Sequence, residues 1–531
     1  MPQPNEPPGP HPEGEHETSA SPPPPPASAL PAEPLIVDTP GGRFRAQFSS
    51  DLPISSSGAL VFFAQFLAAT GAFDALVADA PLSYASNRAH SPRDILGTLV
   101  LGMIGGYFRY AHLSALRGDE VSPRLLGLEH IVSEDCVRRA LRRIEPQAGA
   151  GWLRRHLDQT CHQFMDTKWV LDIDVTIKPI YGRQEGASLG HNPQKPGRPS
   201  HAYHTYWIAT LRLCLDVEVH PGDQSAAGHG FTGLWQLIDQ LPEPRRPHLL
   251  RGDCAYGQES FLCAAEDRRL HYLCKLRRTT KARDLIAWLE RDTTTRWTDA
   301  GQGWQGVAGH LRLQGWSRSR RVIVLRRRLE EKTHPRAGRR LKKARENGLF
   351  LSAPDAAACE PLVYEHQVLV TDLPYEILTL ANLYRERGDA ENPFDELKNQ
   401  WGWAGFTTQA LAPCQHAARL GALIYNWWTL YHRLLRPGQH HEAVSTRPRM
   451  LTGAARQTEH AGQRRLEVRL SHAEAPRLQK IILMLAMWLQ ELMQTAEQWK
   501  CAQRWHQITA RILRENFPPP GPEPPLSAAP A

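Results

Sequence analysis

The stretch WVLDIDVTI, residues 169–177, decides how the middle of the chain folds. Its β-branched and apolar residues read as a strand, and side chains on a strand alternate between its two faces. Leu171, Ile173 and Val175 therefore share one face, and Asp172, Asp174 and Thr176 the other. Two carboxylates point the same way from an otherwise apolar strand. Charges are costly to bury unpaired, so that face must meet solvent, a cation or a metal. The pair alone leaves open both a metal site and a strand edge exposed to water.

Downstream, AYHTYWIATLRLCLDVEVHPG (202–222) reads as two more strands and GFTGLWQLIDQL (230–241) as a helix. HLLRGD (248–253) follows as a short buried strand, ESFLCAAEDRR (259–269) as a helix and LHYLCKLR (270–277) as a fifth strand. Three strands, helix, strand, helix, strand is the element order of a ribonuclease-H-like fold. Asp253 stands just beyond its apolar strand with Gly252 and Gly257 around it. Glycine permits a sharp turn there, and open α/β sheets place their sites at strand ends. An ordinary Asp-containing turn explains the same residues.

The expected organisation is a mixed-sheet α/β core with a β-rich insertion, flanked by helical regions. A Pro-rich tail (1–35), including SPPPPPASALPAEP, has too few bulky apolar residues to offset ordering entropy. Residues 36–165 have mainly helical apolar spacing, with a buried helix in SPRDILGTLVLGMIGGYF and Ser133 as N-cap of EDCVRRALRRI. The core runs over 166–278 and 366–435, interrupted by a basic insertion at 279–365, and helices return at 436–516. A second Pro-rich tail occupies 517–531. Within 436–516, RLQKIILMLAMWLQELMQTAEQW is amphipathic enough for a packing or self-association face.

Composition narrows the partners. The net charge of +8 favours a polyanion, nucleic acid first. The nine cysteines form no C-x-x-C pair, which argues against a zinc ribbon or disulfide framework and fits reduced cytoplasmic thiols. The longest uncharged apolar runs fall short of the roughly 20 residues a bilayer span requires, so no membrane association is expected. Arg318, Arg320, Arg321, Arg326, Arg327 and Arg328 in the insertion are dense enough to contact a DNA backbone, and Arg138, Arg139, Arg142 and Arg143 give a weaker hint of the same kind. His201 and His204 read as structural rather than zinc-binding, and Trp401 and Trp403 as core.

A second stretch, YRERGDAENPFDELK (384–398), carries Tyr384, Arg387, Glu391 and Lys398 at the spacing Y-x2-R-x3-E-x6-K. On one continuous helix these four fall within roughly a 60° arc, able to reach one substrate. Pro393 removes a backbone donor and disfavours helix at Asn392, and Gly388 loosens the turn before, so a kink or restart is expected.

This spacing resembles the YREK signature of DDE transposases of bacterial insertion sequences. The likeness extends to an aspartate in a DxT strand (Asp174 with Thr176), a second in RGDCAYG (Asp253), a long insertion and then the signature glutamate (Glu391), covering about 90–435. The resemblance implies Asp174, Asp253 and Glu391 as a metal-binding catalytic triad, and Tyr384, Arg387 and Lys398 as contacts to DNA phosphates. The DxT context selects Asp174 over Asp172. Carboxylate ligands suit Mg²⁺ or Mn²⁺, and two such ions can stabilise both the attacking and the leaving oxygen of a phosphodiester. The expected activity is hydrolysis at the ends of an insertion sequence followed by strand transfer. The expected partners are double-stranded terminal repeats and target DNA, bound by a homodimer in the nucleoid-associated cytoplasm. An inactive DNA-binding descendant and a nuclease without strand transfer use the same features.

Overall fold

The computed structural model describes residues 35–46, 53–328 apart from 85, 87 and 194, and 364–517 apart from 439 and 496. All of the two Pro-rich tails except Leu35 and Phe517, and the basic run RAGRRLKKAR (336–345), lie outside the described residues. Residues up to Leu52 form one unit and those from Pro53 another. The first shows a hairpin of β1 (Leu35–Thr39) and β2 (Gly42–Ala46).

The second unit begins with the two-residue strand β3 (Ile54–Ser55) and is built around a nine-stranded sheet. Its strands are β4 (Val170–Pro179), β5 (Ser200–Ile208), β6 (Leu213–Pro221), β7 (Leu249–Gly252), β8 (His271–Lys275), β9 (Thr298–Asp299), β10 (Trp304–Leu311), β11 (Arg320–Arg328) and β12 (Tyr364–Thr371). The order across the sheet is β6-β5-β4-β7-β8-β12-β11-β10-β9. β4, β5 and β6 are antiparallel neighbours, while β7 and β8 run parallel to β4. Parallel neighbours need crossover helices, which Ala227–Gln240 and Glu259–Asp267 supply. This is the ribonuclease-H-like arrangement expected from the element order.

The insertion does not stand apart from this sheet. β8 would otherwise present an open edge, a row of unpaired backbone groups. β12 covers it with antiparallel pairs from Leu369↔Lys275 to Thr371↔Leu273, and β11, β10 and β9 extend the sheet outward.

Helix Leu411–Leu435 lies against β6 and helix Pro146–Cys161, and nearly its whole circumference is buried. An all-round apolar helix belongs in a core. The N- and C-terminal helices, distant in sequence, close around it together. Helix Leu60–Thr70 packs on Ala475–Met493 and Cys501–Asn516, and β3 joins a hairpin of β13 (Ala454–His460) and β14 (Gln463–Arg469). The expected N-cap is present, Ser133 Oγ accepting from Cys136 N (3.2 Å) at helix Glu134–Arg143, and the structure adds a second, Ser91 Oγ accepting from Asp94 N (3.0 Å) at helix Pro92–Ile104. Among the described residues no single helix is long and apolar enough to cross a membrane, although the pair Leu60–Thr70 and Ala72–Ala78, bent by 65°, passes that test jointly.

The insertion arginines correct the reading made from charge density. Arg320 is buried between Glu259 (2.5 Å) and Glu266 (2.9 Å), and Arg318 also pairs with Glu266 (2.6 Å). Arg326 pairs with Glu290 (2.8 Å) and lies over the rings of Trp297 and Tyr364. Arg327 pairs with Glu365 (3.1 Å), and Arg321 donates to the carbonyls of Leu373 and Tyr375. Arg328 is exposed. Most of this charge is neutralised by acids that the fold brings alongside, so it is not a free DNA-binding stripe.

Candidate active site

β4 and β7 are parallel neighbours in a register that sets the roles of their acids. Asp172 lies opposite Arg251, and the last pair is Ile173↔Gly252. Asp172 is 3% exposed and takes a bidentate pair from Arg251, Nε to Oδ1 at 2.6 Å and Nη2 to Oδ2 at 2.7 Å. Arg251 also donates through Nη1 to Leu383 O and lies 3.4 Å from Glu386. The buried pair thereby ties both strands to the end of helix Ile377–Arg385.

Asp174 comes two residues later on the same face, where β7 has ended. Its side chain is 20% exposed. Oδ1 accepts from Val175 N (2.8 Å) and Oδ2 from Arg387 Nη2 (2.6 Å). Asp253 follows β7 directly, half-buried, with Oδ1 accepting from Ala255 N (2.8 Å). The turn needs Gly252, because a Cβ there would lie 2.7 Å from the Tyr256 side chain. Tyr256 fills the space beneath, and its phenol is pushed well up by burial and then by the charges of Asp174 and Asp253. Both carboxylates thus act on one ring, Asp253 just past the C-terminal end of β7 and Asp174 in the middle of β4, one residue beyond its last pair with β7.

Residues 384–398 do not form the single helix that a 60° arc assumes. Helix Ile377–Arg385 passes into a 3₁₀ segment, Glu386–Ala390, and a new helix runs Glu391–Gln400. Gly388 lies within the 3₁₀ segment and Pro393 in the first turn of the new helix, where a missing backbone donor costs no helical hydrogen bond. Tyr384, Arg387 and Lys398 still converge on the acids. The Tyr384 hydroxyl is pushed up by burial, with Arg387 opposing and Asp253 adding to the rise. Burial works against the Arg387 charge, but Asp174 first, then Tyr384 and Asp253, hold its pKa above the ordinary arginine value. Burial lowers the Lys398 amine, with Asp395 and Asp174 opposing. Glu391 opens the second helix; its side chain lies outside the described residues.

Sequence reasoning missed Arg251 and Tyr256. The glycines around Asp253 pointed to a sharp turn, but nothing marked Tyr256 as the side chain against Gly252. It also missed Glu396, which is buried and accepts from Trp401 Nε1 (3.1 Å), Ala443 N (2.9 Å) and His440 Nε2 (2.8 Å), bracing the second helix. Trp401 and Trp403 are core residues as expected. His201 and His204 are buried, each with a ring nitrogen on a backbone carbonyl, Glu185 O at 2.8 Å and Gln224 O at 2.9 Å.

Another group able to approach a cation, Asp94, Glu129 and His130, lies at the start of helix Pro92–Ile104. There Asp94 accepts from Ser91 Oγ (2.8 Å) and Glu129 N (2.8 Å), a helix-capping arrangement.

The family model described as Transposase DDE domain group 1 matches residues 43–494. The chain belongs to this DDE transposase family. It is a DNA transposase, a DNA-cleaving enzyme, and such enzymes use divalent metal ions. No match is found among curated proteins. Among solved structures, a cryo-EM synaptic complex of piggyBac transposase with hairpin DNA is similar at 11% identity, covering 90% of this chain and 89% of that chain, with a TM-score of 0.39. Asp174 and Asp253 suit a hard divalent ion: both are part-exposed oxygen donors, set just past the last pair between β4 and β7.

Proposed function

We propose that this transposase cuts and rejoins the ends of its own bacterial insertion sequence as a member of the YREK-signature group. The observation that carries the reading is that Asp174 and Asp253 each come one residue after the last pair between β4 and β7, with Tyr384, Arg387 and Lys398 converging on them. Asp174, Asp253 and Glu391 form the catalytic, metal-binding triad. Asp174 is preferred over Asp172 because Asp172 is consumed by a buried pair with Arg251.

Mg²⁺ or Mn²⁺, as two ions, would supply charge stabilisation on the attacking and leaving oxygens when bound. Water attacks the phosphodiester at the element end, and the 3′-oxygen leaves as a hydroxyl. That hydroxyl then attacks a target phosphate, so one bond forms for each that breaks. Before DNA arrives, Arg387 holds the Asp174 carboxylate in position at 2.6 Å. With DNA present, Arg387, Lys398 and Tyr384 face phosphates near the cleaved end. The substrates are double-stranded terminal inverted repeats and target DNA, held by a homodimer that pairs two ends in the nucleoid-associated cytoplasm.

The test is incubation of the purified chain with Mg²⁺ and a duplex carrying the element's ends beside a target plasmid. Nicks at the element boundary and joined products are expected. Nicks without joining would mark a nuclease, and neither product an inactive DNA-binding protein.

A further inference from the structure

The segment that joins β4 to β5, residues 180–199, carries a cationic tip apart from the acids. Within NPQKPGRPS (192–200), Lys195, Pro196, Gly197 and Arg198 form a tight turn. Arg198 N donates to Lys195 O (3.1 Å), and Gly197 has φ +76°. Proline second and a positive-φ glycine third are the requirements of a type II turn. Asn192 is buried and braces it, Oδ1 accepting from Lys195 N (3.0 Å) and Nδ2 donating to Arg198 O (3.4 Å).

Both cations of this turn flank one ring. Lys195 Nζ lies 5.0 Å and Arg198 Cζ 4.7 Å from the centroid of Tyr181, which is 66% exposed. Lys195 Nζ also donates to the Tyr181 hydroxyl. The base of the segment is fixed to the core, with Ser200 N donating to Ser188 O (3.0 Å), Gly222 N to Gly186 O (3.1 Å) and Glu185 N to Gln409 O (2.8 Å). Glu185 is the sole acid of residues 180–199 in the sequence, and its Oε2 accepts from Leu411 N (2.9 Å).

A rigid turn that holds two like charges about one exposed ring is arranged for an anion, since their mutual repulsion is unfavourable otherwise. Position identifies which anion. β4 runs from Asp174 towards this tip, and seven residues at about 3.3 Å each place Tyr181 at most about 23 Å from the acid. That is shorter than one turn of B-DNA, about 34 Å. We propose that residues 180–199 grip the duplex backbone within one helical turn of the cut phosphate, Lys195 and Arg198 each neutralising a phosphate and Tyr181 keeping both cations preordered. Only the identity of the polyanion rests on the transposase reading.

The test is binding of a duplex carrying the element's ends to the full chain, in EDTA, from about 50 to 200 mM salt. Each phosphate contact contributes about 0.9 to the slope of log affinity against log salt. Lys195→Ala/Arg198→Ala is expected to flatten that slope by about 1.8 and weaken binding at least about tenfold at low salt. Lys195→Arg/Arg198→Lys keeps both near parental, and Lys195→Gln alone gives about half of that flattening. Parental slope and affinity in both Lys195→Gln and the double variant would overturn the proposal. A parent chain that binds no duplex at all would overturn the transposase reading, and this one with it.

Discussion

Lys178 ends the row of polar side chains that starts at Asp172 on β4. Its amine is buried, 3.4 Å from the Tyr203 hydroxyl and 5.9 Å from that ring's centroid. Burial lowers its pKa from 10.5 to about 8. A depressed lysine destabilises the fold while it remains charged in both states, below pH 8. Between about pH 8 and 10.5 the unfolded chain binds the extra proton, so stability rises with pH across that window. At about 1.4 kcal/mol per unit, the rise is about 3 kcal/mol. Lys178→Met is expected to raise stability at pH 7 and abolish the alkaline gain, as denaturant melts at pH 7 and 10 would show. A melt with unchanged pH dependence would contradict this account. Strand alternation made Asp172 and Asp174 legible together in the sequence, but not their separate roles. Those depend on Arg251, 79 positions away, arriving opposite one of them and not the other.

Between elements, the network beneath the sheet does the joining. Asp216 on β6 is fully buried and accepts from Arg419 Nε (2.6 Å) on helix Leu411–Leu435 and Arg154 Nε (2.7 Å) on helix Pro146–Cys161. Asp216→Asn would leave a buried guanidinium without its countercharge. It should cost about 3–5 kcal/mol in urea unfolding, and a loss below about 1 kcal/mol would contradict the network's role. The strands and most helices were legible because their apolar periodicity is local. The break at 386–390 was legible from Gly388 and Pro393 as a departure, and the convergence of Tyr384, Arg387 and Lys398 was legible only as one face of a continuous helix, which is not how it arises. It depends on Arg251 and Asp174 gripping the junction from the sheet. The arginines of β11 misled for the same reason, since Glu259, Glu266 and Glu290 come from other elements.

Across the whole molecule, the two ends of the second unit close one core. Phe66 of helix Leu60–Thr70 lies 6.3 Å from the ring of Trp505, and the buried face of helix Ala475–Met493 covers the same helix. A chain ended after residue 435 should therefore aggregate on expression, and a soluble, cooperatively melting product would contradict this packing. In the proposed function Asp174, Asp253 and Glu391 serve one metal-dependent site while Asp172 serves the fold. The most direct measurement is Mg²⁺-dependent nicking of a duplex carrying the element's ends, taken beside the thermal melt of each variant. Asp253→Asn and Glu391→Gln should melt near the parent and cut at background, Asp174→Asn should cut at background with a lowered melt because buried Arg387 loses its partner, and Asp172→Asn should melt markedly lower. Parental cutting by Asp174→Asn, Asp253→Asn or Glu391→Gln would contradict the account.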